Sequence, residues 1–177
     1  MVEEAQFEET ENGKFATSDG WFTLHVSEAP WLRTDRFGAG ARFEGNIQFP
    51  QTGIQFRVLE PGKPACLYHR EKAQEDFYVI SGECILIVEE QERHLRAGHF
   101  VHCPADTNHV FVGAGDEQCV ILMIGHRPDP QEICYPVSEV AAKYGASVEV
   151  ETPDPREAYG DIRREPTAPV WPLYGVE

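Results

Sequence analysis

Positive charge is scarce in this chain. Its 177 residues carry 15 Lys and Arg against 30 Asp and Glu, a formal net charge of −15. Nucleic acid and anionic membrane are therefore disfavoured as partners, because both would be repelled. No apolar run approaches the length of a membrane-spanning helix. The opening residues, Met1-Val2-Glu3-Glu4, lack the basic start and apolar stretch of a secretory leader, so a cytoplasmic location is expected. There is no Cys-x-x-Cys pair. The five cysteines, Cys66, Cys84, Cys103, Cys119 and Cys134, are odd in number and are expected as reduced thiols packed like small apolar residues. Internal repeats and low-complexity tracts are missing as well. What is present suffices for one domain: 41% of residues are hydrophobic, enough to bury a core without disulfides.

The middle of the chain consists of short apolar runs between turn signals. Residues 54–59 end at Pro61-Gly62, and residues 77–80 run into Ser81-Gly82. Residues 84–88 stop at the charged turn 89–92, and residues 93–96 lead into Ala97-Gly98. Residues 100–103 are closed by Pro104, residues 109–112 stop at Gly113-Ala114-Gly115, and residues 119–124 form the last strong run. The pattern predicts an all-β antiparallel sandwich or barrel. Continuously apolar runs are those expected of strands covered on both faces. Upstream, residues 21–26 are a strand candidate and residues 43–49 a candidate partner for the barrel edge. Past Gly125, Val137, Val140, Ala141 and Tyr144 recur at helical spacing between Ser138 and Gly145, which predicts one short helix. From Thr152 on, proline and charge predict an extended tail. Trp171, Leu173 and Tyr174 are apolar for a free tail, so it is expected to dock. The division is a core at 45–126, N-terminal strands at 15–44, and a helix with a Pro-rich tail at 127–177.

Two segments hold the groups with chemistry. His69, Glu71 and Glu75 precede the run 77–80, and His102, Cys103, Asp106 and His109 follow Gly98. On an extended strand His69 and Glu71 share a face, and Glu75 has the parity of Phe77 and Val79. If the sheet curls into a barrel, His69, Glu71, Glu75 and His109 meet inside it. Unpaired carboxylates inside a barrel are costly without a cation, and imidazole with carboxylate suits Zn, Fe, Mn or Ni. His25, His94, His99 and His126 have no such support. His102 is expected as a packed histidine, Asp106 as a turn residue, and Tyr68, Phe77 and Tyr78 as wall.

At these residues the chain resembles the cupin superfamily, whose motifs read G-x5-H-x-H-x3,4-E-x6-G and G-x5-P-x-G-x2-H-x3-N. Glu75-x6-Gly82, Gly98-x5-Pro104 and Pro104-x4-His109 match as they stand. Counting back from Glu75, the two family histidines fall on His69 and Glu71, so the second is a carboxylate here. Asp106 stands at the motif glycine and Gly113 at the closing asparagine. The resemblance covers roughly residues 45 to 126 and implies a cupin-type jelly-roll β-barrel. It also implies ligand roles toward a divalent metal for His69, Glu75 and His109, with Glu71 a fourth candidate.

Two functions are compatible with these residues. One is a metal-dependent enzyme acting on a small molecule, with Glu71, where not a ligand, as general base. Dioxygenase, isomerase and hydrolase chemistry all occur on such a fold, and the fold does not choose among them. The other is a non-catalytic small-molecule binder or sensor. A homodimer is expected, because small barrels have edges to cover and the Trp171, Leu173 and Tyr174 segment needs an apolar surface.

Overall fold

The computed structural model describes residues 1–45 and 47–170. Strands dominate it: β1 (Phe7–Thr10), β2 (Gly13–Ala16), β3 (Trp31–Arg33), β4 (Ala39–Arg42), β5 (Thr52–Leu59), β6 (Arg70–Glu71) and β7 (Glu75–Ser81). They continue with β8 (Glu83–Val88), β9 (Gln91–Arg96), β10 (Phe100–Cys103), β11 (His109–Ala114), β12 (Cys119–His126) and β13 (Ile133–Cys134). Two short helices, α1 (Glu139–Ala142) and α2 (Pro155–Tyr159), and β14 (Glu165–Pro166) complete the elements among the described residues. No helix among the described residues is long and apolar enough to cross a membrane.

A seven-stranded antiparallel sheet runs β10-β7-β12-β5-β4-β3-β14, and a three-stranded sheet runs β11-β8-β9. The two face one another as a jelly roll rather than closing into a continuously hydrogen-bonded barrel. Their shared core takes Leu59, Phe77, Val79, Ile121 and Met123 from the large sheet and Cys84, Leu86 and Phe111 from the small one. The alternation along β7 is responsible: Phe77 and Val79 point in and Tyr78 points out. The opposite face of the small sheet is also covered, because Ile87, Val110 and Val112 pack on Tyr68, Ala141 and Ala146. Burial on both faces is why residues 84–88 and 109–112 read as unbroken apolar runs.

Gly82, the last position of the first motif match, turns β7 into β8 at φ +73. A Cβ there would lie 2.4 Å from the Gln118 carbonyl oxygen, so the turn admits only glycine. Ser138 caps α1 by accepting a bond from the Ala141 N–H (2.9 Å), and Gly145 follows at φ +68, as the sequence predicted.

Several expectations need correction. Residues 21–26 are not a strand: Trp21 makes one bridge to Glu4, while Leu24 and Val26 pack on Trp31, Ala39 and Ala41 as a cover for the large sheet. Their apolar spacing reflects that cover and not a ladder. The strand expected at 43–49 lies earlier, at β4. The tail is not wholly extended, since α2 forms where Asp154 accepts from the Arg156 N–H (2.8 Å) and Pro155 takes the first helical position. The docking expected of Trp171, Leu173 and Tyr174 falls outside the described residues.

Candidate metal centre

His69 and His109 face each other across an isolated antiparallel bridge. The His109 N–H donates to the His69 carbonyl at 2.8 Å and the His69 N–H to the His109 carbonyl at 3.2 Å. Their rings are 4.8 Å apart. In each ring Nδ1 lies on the carbonyl two residues upstream, that of Leu67 for His69 (2.8 Å) and that of Thr107 for His109 (3.0 Å). A carbonyl only accepts, so Nδ1 carries the proton and Nε2 keeps the lone pair that a metal needs. Glu75 enters at the start of β7, with Oε2 3.4 Å from His109 Nε2.

The ligand atoms of His69, Glu75 and His109 all lie within 4.8 Å of one another. Donor–metal distances of about 2.0–2.2 Å place trans donors about 4.3 Å apart, so small side-chain adjustments let one ion reach all three. Two imidazole nitrogens and one carboxylate oxygen suit a divalent ion such as Fe, Mn, Ni or Zn. Electrostatics agree with this donor set. Burial pushes the Glu75 carboxyl up to about 7, against the pull of His69 and with help from Glu71. Burial, aided by the charge of His69, pushes His109 down to about 3. His69 is held up at about 10: burial opposes its charged form, but Cys66 and Glu75 outweigh it. A cation is thus favoured at the centre of the three, which a divalent ion would supply in place of a proton.

Glu71 stands beside this set and not within it. It lines the same cavity as His69, Glu75 and His109. It has no ion-pair partner among the described residues, because its neighbours are engaged elsewhere: Arg70 with Glu151 (3.7 Å) and Lys72 with Glu132 (2.7 Å).

His102 corrects the expectation of a packed histidine. Val101 and Cys103 take the inward parity of β10, which leaves His102 exposed on the outer face, with Nδ1 2.7 Å from Asp76 Oδ1. Cys103 is buried, and burial pushes its thiol up to about 12, so it is a packing residue. Asp106 sits at φ +67 where the motif has glycine, and its N–H donates to the Glu71 carbonyl at 2.8 Å, so it serves the turn.

The centre opens on a cavity of about 270 Å³. Phe77, Phe111 and Met123 supply its apolar floor, and Tyr135, Tyr159 and Arg57 line other parts of its wall. Sequence reasoning missed these last three, which come from strands and segments remote from either motif. A larger hollow, about 450 Å³, lies between the β1–β2 hairpin and residues 166–169, with no metal-ligating cluster among its described residues.

Two facing antiparallel sheets with a His/Glu/His set between them define a jelly roll with a candidate metal site. Residues 55–125 match the family model of the cupin domain, the stretch in which the cupin-like motif spacing lies. Among solved structures, the cupin-superfamily sugar phosphate isomerase of Silicibacter pomeroyi has a TM-score of 0.54 at 23% identity, over 63% of this chain and 80% of that one. The polyketide cyclase RemF of Streptomyces resistomycificus has a TM-score of 0.53 at 13% identity, over 61% of this chain and 80% of that one. Both likenesses are of fold. A protein of Acidithiobacillus ferrooxidans is 32% identical over 48% of this chain, with a TM-score of 0.44. The match spans 54% of that protein, so this chain spans about half the length of that relative. No curated protein matches the sequence.

Proposed function

We propose that this chain is a cupin and a divalent-metal-dependent enzyme acting on a small molecule held in the cavity beside His69, Glu75 and His109. The observation that carries the reading is the paired arrangement of the two imidazoles. Each is fixed by its own upstream carbonyl, and both offer Nε2 toward one half-buried carboxylate. Such fixing removes the freedom that a ligand otherwise loses on binding. When bound, the ion would supply Lewis acidity toward a substrate oxygen. Glu71, a carboxylate lining the same cavity with no ion-pair partner among the described residues, is the proposed general base. Phe77, Phe111 and Met123 keep the inner end of the cavity apolar, which strengthens electrostatic effects there.

The fold neighbours include an isomerase and a cyclase by name, which is consistent with an enzyme and does not select a reaction. Elemental analysis of protein purified without a metal-affinity tag is the first test. About one divalent ion per chain is the expected result. Turnover on a panel of small molecules with Fe, Mn, Ni or Zn added then separates enzyme from binder. Binding without turnover on every metal would establish the non-catalytic alternative.

A further inference from the structure

Three arginines share the metal cavity. Arg42 ends β4, Arg57 lies in β5, and Arg164 immediately precedes β14, yet all three line one wall. The register explains the first two. Phe77, Met123, Gln55 and Arg42 form one row across the inner face of β7-β12-β5-β4, and Val79, Ile121, Arg57 and Gly40 form the next. Gly40 matters because a Cβ there would stand 2.9 Å from an Arg57 guanidinium nitrogen, so the missing side chain seats the guanidinium.

These cations lack anions. Among the described residues none of the three makes an ion pair, although acidic residues outnumber basic ones 30 to 15. Glu44 acts on Arg42 at longer range but is already gripped by Arg127, at 2.7 Å through Oε2. Burial pushes Arg57 down to about 10, a cost eased by Cys66 and deepened by Arg164 and Arg42. It stays charged at neutral pH, and a half-buried charge without a counter-charge carries a desolvation cost. Repulsion among three guanidiniums adds to that expense. An anion entering the cavity beside them would offset both costs.

We infer that Arg42, Arg57 and Arg164 form an anion subsite of this cavity, and that its ligand is a small molecule bearing a phosphate or carboxylate group. The inference rests on the reading of the cavity as a substrate site and names the substrate class. Arg57 is two strands from β7, roughly 10 Å, so one small molecule can place its anion on the arginines and its reacting end beside His69 and Glu71. Guanidinium forks recognise phosphate and carboxylate by paired bonds, which also fixes the ligand's orientation.

The test titrates chelator-treated protein with inorganic phosphate and with malonate, by calorimetry and thermal melting, against chloride at matched ionic strength. Removing metal excludes direct anion–metal binding. The expected result is a rise in melting temperature beyond the chloride control, with the tighter of the two anions naming the group. Arg57→Met should weaken that binding about tenfold or more. Arg42→Gln/Arg164→Gln should do the same, and as both residues are exposed it guards against a folding failure of the half-buried Arg57 variant. No shift beyond chloride with either anion, or wild-type affinity in the folded arginine variants, overturns the inference. Anion binding that survives Glu75→Gln while metal is lost shows that the subsite stands apart from the metal reading.

Discussion

His69 and His109 exchange both backbone hydrogen bonds across a single bridge, and this pair is the pivot of the proposed site. Because the bridge fixes both backbones and the upstream carbonyls fix both rings, neither imidazole can leave without the other's frame changing. Two candidate ligands are therefore aligned ahead of any ion.

Metal content and stability should fall together. A ligand that binds only the folded state stabilises it by mass action. Dialysis against a chelator should lower the melting temperature, and stoichiometric Mn, Fe or Zn should restore it. His69→Ala and His109→Ala should each retain little metal by elemental analysis. An unchanged melting temperature and metal content after chelation would refute the assignment.

Glu75→Gln should separate function from stability. The Glu75 carboxyl is raised by burial from 4.5 to about 7 in the metal-free fold. A raised acid is neutral in both states below its unfolded value. Between 4.5 and about 7 it resists ionisation only when folded, so rising pH costs stability across that window. The glutamine has no such cost. Metal-free Glu75→Gln should thus gain stability relative to metal-free wild type from pH 5 to pH 8, while losing metal affinity. Denaturant midpoints at the two pH values check the sign.

Glu71 is expected to matter to turnover more than to folding. Glu71→Ala should weaken metal retention modestly and leave the fold intact, since three ligands remain. Glu71→His, which restores the second family histidine, should keep metal. Under the rival view of Glu71 as a surface partner of Arg70 or Lys72, Glu71→Ala would leave metal affinity unchanged. A metal titration decides between them.

The edge strand β10 presents Phe100, 64% exposed, directly across from Tyr78, 44% exposed. A second copy of this chain is the expected cover for that edge. Light scattering at high concentration should return a dimer mass, and Phe100→Ser should shift it toward monomer. A monomer at every concentration would defeat the expectation.

Much of the fold was legible because local chemistry and global packing agree. The runs 84–88 and 109–112 are apolar throughout because Tyr68, α1 and the residues just after it cover the outer face of the small sheet. His69, Glu75 and His109 were legible through motif spacing. Strand parity, applied to Val101 and Cys103, would have turned His102 outward. The helix α2 was hidden because Pro153 and Pro155 read as breakers, although Asp154-Pro155 is also a helix start. The arginine wall has no local signal. Residues 42, 57 and 164 are distant in sequence, and only the strand register and the return of the C-terminal segment make them neighbours.

That returning segment has a consequence for how such a protein diversifies. Pro155, Tyr159 and Arg164 close one side of the cavity, and the Tyr159 hydroxyl takes the Leu67 N–H at 3.4 Å, two residues before His69. On the proposed reading the jelly roll carries the ligands for the ion and two of the arginines, whereas the stretch that follows it adds Arg164 and shapes what fits beside them. Insertions, deletions or exchanges after β13 would rewrite selectivity while leaving the metal set in place. On the proposed reading, part of the choice of substrate thus lies outside the jelly roll and is free to change at a different rate from the metal set.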